Sequence, residues 1–390
     1  MVNFQEISLH TFLSEYWQKK PLVIRRALPG FTNPLTPDEL AGLALEEDVE
    51  SRIVLETPGE QPGWHLKRGP FEESDFANLP QSHWTLLVQG VDRLVPEVYN
   101  LLERFDFIPQ WRIDDVMISF AALKGGVGPH YDNYDVFLYQ AKGSRHWSLT
   151  TQNCTTDNYL EDLELRIMKD FQEEEHFLLE EGDMLYLPPH VGHYGISASD
   201  ECMTYSFGYR SYQGQEVWDS LGDYLSEQEA FKALYKDPDW STVKNTSELT
   251  APAWKSAQKL LLELVHNDSI MKSWFGCFAT RLDQEAERQL PLPLEADELM
   301  DLPDFIEALK TGAHLERNAS CRFAYQDGNQ LFINGCQWEV GGVNPEVIAL
   351  IANKRVLTYK ELKEYLLGIE VQVLLYDLWK LQWLDLLSEL

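Results

Sequence analysis

Between Val116 and Tyr209 the chain is a succession of short β-type runs, each too brief for a helix and each closed by Gly, Pro, Asp or Ser. The runs are Val116 to Ala122, Tyr134 to Gln140, Arg145 to Leu149, Phe177 to Leu179, Asp183 to Pro188, His193 to Ser197 and Cys202 to Tyr209. Serial strands of this length predict a sandwich or barrel, whose interior is lined by alternate side chains.

One of these runs is preceded by His130-Tyr131-Asp132, and another opens at His193. Two imidazoles and one carboxylate hold a redox-active iron on one face and leave the other open to small ligands, so an oxygenase is the expected chemistry. The pattern H-x-D alone says little, since His266-Asn267-Asp268 also fits it at a helix end. His130 differs in context: it follows the glycine-rich approach Lys124 to Pro129 and is expected to open directly into the Tyr134 to Gln140 strand, with His130 and Asp132 on one face. His193 is chosen over His190 as the second imidazole, because His193 starts a strand whereas His190 follows Pro189 in a turn.

Arg145 begins the next strand. A guanidinium inside a barrel is costly unless paired, and a dicarboxylate co-substrate would supply its partner, which argues for 2-oxoglutarate. His146, next in sequence, then points outward. Ser119 is placed to add a hydroxyl to the same carboxylate. Asp115 shares its parity and is placed to receive a cationic substrate.

Around this block, Leu9 to Trp17 has helical spacing, Lys20 to Arg25 reads as a strand, and residues 30 to 112 read as a helical and mixed lead-in. Beyond Tyr212, Val217, Trp218, Leu221, Tyr224 and Leu225 form a helical stripe. After the loop Asp237 to Pro252, the segment Trp254 to Val265 is apolar over too much of its circumference for one face in water, so either a self-association surface or burial within the chain is expected. Leu290 to Pro303 has linker composition. A hairpin about Asp327-Gly328 and a helix opened by Thr358 and Glu361 then suggest a winged-helix module.

With 32 basic and 63 acidic side chains the net charge is −31, which disfavours nucleic acid and anionic membranes and favours a basic partner. The acid crowds the insert before His193, from Glu161 and Asp162 through Glu173, Glu174 and Glu175 to Asp183. Residues 301 to 390 carry 8 basic and 13 acidic residues, so direct nucleic-acid binding by the winged helix is not expected. Five scattered cysteines without a C-x-x-C pair suggest neither a disulfide framework nor a zinc knuckle. With no signal-like N-terminus and no long apolar run, the chain is expected to be cytoplasmic.

At Lys20 to Arg25, Trp111 to Asp115, Met117 to Phe120, Gly126 to His130, Tyr134 to Phe137 and Gly182 to His193, the chain resembles the JmjC-domain, Fe(II)/2-oxoglutarate-dependent oxygenases of the ribosomal oxygenase group. Within that group it is most similar to the bacterial arginine hydroxylases of large-subunit ribosomal protein sixteen. The resemblance implies an α+β chain: a double-stranded β-helix of the cupin or jelly-roll type (1–210), a helical dimerisation domain (211–290) and a C-terminal winged-helix domain (291–390). It also implies His130, Asp132 and His193 as iron ligands, Arg145 and Ser119 as 2-oxoglutarate contacts, dioxygen as the second co-substrate, a basic ribosomal protein as substrate, and a homodimer. His190, where relatives often carry glycine, stands as a rival ligand. Two other functions fit less of the pattern: demethylation of an N-methyl-lysine or N-methyl-arginine at the same iron, and a non-enzymatic winged-helix regulator with a metal-stabilised barrel.

Overall fold

The computed structural model describes residues 1–61, 63–241 and 243–388. These form two compact units, Met1–Ser211 with Gln284–Gln289, and Tyr212–Asp283 with Leu290–Leu390.

The strands of the first unit are β1 (Leu22–Ile24), β2 (Ser51–Glu56), β3 (Trp64–Arg68), β4 (Trp84–Val88), β5 (Ile113–Ala121), β6 (His130–Tyr131), β7 (Val136–Lys142), β8 (Arg145–Thr150), β9 (Glu175–Leu179), β10 (Met184–Leu187), β11 (Gly192–Ser197) and β12 (Cys202–Tyr209). They make an eight-stranded sheet, β1-β10-β7-β12-β5-β4-β2-β3, and a four-stranded sheet, β6-β11-β8-β9. The neighbours pair antiparallel throughout. Side-chain alternation decides what each face meets. Val136 and Leu138 of β7 and Leu185 and Leu187 of β10 share a buried cluster with Trp147 and Leu149 of β8 and Leu179 of β9, so the two sheets enclose a common interior.

Phe137 and Tyr186 are out of phase with those residues and face the other way. Their rings, 4.9 Å apart, meet Phe12, Trp17 and Tyr209, with Phe105 also 5.3 Å from Phe137. Phe12 comes from a helical segment, Leu9–Thr11 running into Phe12–Tyr16, whose start is capped by the Ser8 hydroxyl accepting from the Thr11 N–H. Covered on both faces, β7 is buried from Val136 to Ala141.

Two expectations need correction. The 30–112 segment is not only a lead-in: β2, β3 and β4 extend the large sheet through the β4–β5 pairing. Short apolar runs such as Trp84 to Val88 do not declare helix or strand by periodicity alone. Nor does His130 open directly into the following strand. β6 lies in the small sheet and β7 in the large one, so the chain changes sheets across 132–135.

In the second unit, Gly214–Ser226, Ala251–Val265 and Asp268–Thr280 are helices, and Leu221, Leu225, Leu264, Trp274 and Phe278 form their shared cluster. Trp254, Leu261 and Leu262 on the Ala251–Val265 helix remain 54%, 49% and 42% exposed among the described residues. A second cluster, including Phe305, Leu331, Ile351 and Leu375, lies C-terminal to it. The hairpin Phe323–Gln326 and Gln330–Ile333 turns through Asp327 and Gly328, both at positive φ (51° and 71°), the conformation its Asp-Gly sequence favours. Thr358 and Glu361 make the expected capping box.

Candidate active site

Antiparallel pairing of β6 with β11 sets His130 directly opposite His193. Their ring centroids are 4.2 Å apart, and His193 Nε2 is 3.7 Å from an Asp132 carboxylate oxygen. One donor atom from each of His130, Asp132 and His193 falls within 4.8 Å of the other two, the one such cluster among the described residues. The tautomers are legible from acceptor chemistry. His130 Nδ1 lies 2.9 Å from the Gly128 carbonyl and His193 Nδ1 lies 3.0 Å from the Val191 carbonyl. Carbonyls only accept, so each Nδ1 carries a hydrogen and each Nε2 is the atom left to ligate, the arrangement seen behind metal-bound imidazoles. Gly128 presents its carbonyl from φ +81°, where a Cβ would be strained and would press on Ile167. Burial, followed by the neighbouring His130, pushes His193 down to about 4 and keeps it neutral.

His190 is not in the cluster. It is exposed, at φ 62°, and its backbone N–H donates to the Asp132 carbonyl. Its part is to tie the turn to the segment that carries Asp132.

Arg145 is 3% exposed at the start of β8, while His146 beside it is exposed on the outer face. The guanidinium Nε donates to Cys202 Sγ at 3.4 Å, the carbon at its centre lies 5.6 Å from the Trp147 ring centroid, and Nη2 is buried with no partner. An orphaned cationic donor in a buried interior fits a carboxylate brought by a ligand. Ser119 is 4% exposed on β5, in register with Thr204 of β12. Asp115 is 6% exposed and already accepts from Gln89 Nε2 (2.7 Å) and the Gly90 N–H (2.9 Å). Burial, then the nearby Asp114 and Asp92, raise it to about 7.

The acidic insert lies against the His130 segment through Tyr159, which stacks on Tyr131, and through the Met168 N–H, which donates to the Pro129 carbonyl. Most of its carboxylates are exposed, but Asp183 is not: it is buried and paired with Arg25. Sequence reading missed Cys202 against Arg145, and Gln140 and Thr204 behind it. The available signal was in β12, where Cys202, Thr204 and Ser206 alternate with Met203, Tyr205 and Phe207 and so mark a polar inner row.

A two-sheet β-helix with two imidazoles and a carboxylate converging inside it defines an oxygenase-type cupin, and residues 100–217 match the JmjC domain model. Residues 263–385 match the ROXA-like winged helix. The chain is 36% identical to the ribosomal protein uL16 3-hydroxylase of Escherichia coli over 83% of both chains, and 31% identical to a probable ribosomal oxygenase of Haemophilus influenzae over 92% of this chain and 89% of that one. The solved structure of YcfD, a ribosomal oxygenase from Escherichia coli, in complex with cobalt and 2-oxoglutarate superposes with a TM-score of 0.85 at 30% identity, covering 98% of each chain. The chain belongs to the JmjC-domain ribosomal oxygenases.

Proposed function

We propose that this protein is an Fe(II)- and 2-oxoglutarate-dependent hydroxylase of an arginyl residue in a large-subunit ribosomal protein. The observation that carries the reading is the convergence of His130, Asp132 and His193 with an unpartnered Arg145 Nη2 in the same β-helix. His130 Nε2, His193 Nε2 and the Asp132 carboxylate hold the iron. Arg145 receives the distal carboxylate of 2-oxoglutarate, with the Ser119 hydroxyl as a second contact. Iron, 2-oxoglutarate and dioxygen together supply oxidative decarboxylation and the transfer of one oxygen atom to an unactivated C–H bond. The chain's own share is to fix two imidazole tautomers, anchor the co-substrate and keep the interior dry. Asp115 is the residue assigned to the substrate cation.

The net charge of −31 suits a basic substrate. A ribosomal substrate, as named for the Escherichia coli relative, supports a cytoplasmic reaction. The reading includes a helical domain over 211–290 that dimerises and a winged helix over 291–390; the exposed Trp254, Leu261 and Leu262 support a homodimer there. No direct nucleic-acid contact is assigned to the winged helix, which is net acidic.

The test is anaerobic loading with Fe(II) and 2-oxoglutarate, then oxygen and the candidate ribosomal protein, read by mass spectrometry. A gain of one oxygen atom with matching succinate supports the reading. Loss of a methylene from a methylated peptide would replace it with demethylation, and an absence of turnover with sequence-selective DNA binding would replace it with a regulator.

A further inference from the structure

Cys202 touches the Arg145 guanidinium, and Gln140 and Thr204 stand behind it in turn. Cys202 is fully buried, and its sulfur accepts from Arg145 Nε at 3.4 Å and from Gln140 Nε2 at 3.2 Å. Carbonyls fix the orientation of the Gln140 amide: Nε2 faces those of Lys142 (2.8 Å) and Met203 (3.3 Å), which only accept and share its two hydrogens with the sulfur, while its oxygen faces the Thr204 hydroxyl at 3.4 Å. The sulfur is therefore clamped between two donors, one of them a cation. Although burial works to raise the Cys202 thiol, Arg145 and the hydrogen bonds from Arg145, Gln140 and Ser197 outweigh it and bring it below its ordinary value.

A guanidinium can meet a carboxylate side-on, through Nε and one Nη, or end-on, through its two terminal nitrogens. Here the Nε–H is taken by sulfur and Nη2 is free and buried. We propose that Cys202 is a positioning residue: by accepting the Arg145 Nε–H it closes the side-on approach and presents the Nη1/Nη2 end to the distal carboxylate of the co-substrate. This rests on the reading of Arg145 as the co-substrate anchor. Gln140 acts through the sulfur and Thr204 through Gln140, so β12 and β7 together aim a side chain that β8 carries.

The experiment is steady-state hydroxylation together with 2-oxoglutarate binding to the Mn(II)-loaded, non-turning-over full chain. A hydrogen bond to a charged group contributes enough that Cys202→Ala should raise KM and Kd for 2-oxoglutarate about tenfold. kcat and KM for the protein substrate should stay within about twofold of wild type. Cys202→Ser, which still accepts, should recover most of the loss. In an Arg145→Lys background, which has no Nε–H in that plane, Cys202→Ala should add less than about twofold. An unchanged Kd in Cys202→Ala, an undiminished effect in the lysine background, or a loss spread equally over kcat and both KM values would overturn the positioning role while leaving Arg145 as anchor. Wild-type protein that shows no saturable 2-oxoglutarate binding would remove the anchor itself and the proposal with it.

Discussion

His130 and His193 face each other across one antiparallel rung, and each turns Nδ1 onto the backbone carbonyl two residues before it. The same hydrogen bond to the residue two before thus repeats on two strands, leaving two Nε2 atoms for one centre.

His193→Ala should abolish 2-oxoglutarate turnover, by more than about 100-fold, since even a partner behind a metal ligand is worth 10- to 100-fold. His190→Ala should keep activity within about threefold, because that side chain is outside the cluster and the backbone N–H it contributes is retained. Succinate release measured on both variants decides the matter; loss confined to His190→Ala would reverse the assignment.

Arg145→Ala should raise the 2-oxoglutarate KM by at least about 30-fold. Removing one member of a buried charge pair costs about 2–5 kcal/mol, and 1.4 kcal/mol is a factor of ten. Fe(II) affinity, followed by competition with a chelator, should be unchanged.

Asp115 supplies a pH test. Its carboxyl is raised to about 7, chiefly by burial, so it is protonated below that pH and charged above it. Only the charged form attracts a guanidinium. kcat/KM for the protein substrate should therefore rise as pH increases through about 7, and Asp115→Asn should lower the plateau and flatten that limb. A variant whose profile keeps the full rise would show that another group titrates.

Phe137→Ala removes a ring that touches Phe12, Phe105, Tyr186 and Tyr209 on the outer side of the large sheet. Such truncations cost about 3–5 kcal/mol, and denaturant unfolding should show a loss of that size. Because Phe137 faces away from His130 and Arg145, whatever protein remains folded should keep its KM for 2-oxoglutarate.

The amino-acid sequence by itself determined the strand alternation, the shared parity of Asp115 and Ser119, the Asp-Gly turn and the His130-Tyr131-Asp132 motif, because these depend on periods of two and on residues within a turn of each other. It also favoured His193 over His190, through the turn that Pro188-Pro189 imposes. Only the tertiary structure decided the rest. The sheet change between β6 and β7, the recruitment of β2, β3 and β4, and the seating of Cys202 against Arg145 all depend on pairings between distant segments. Such contacts are selected by the packing of two whole sheets around one interior, and no local pattern of residues encodes which strand will lie beside which.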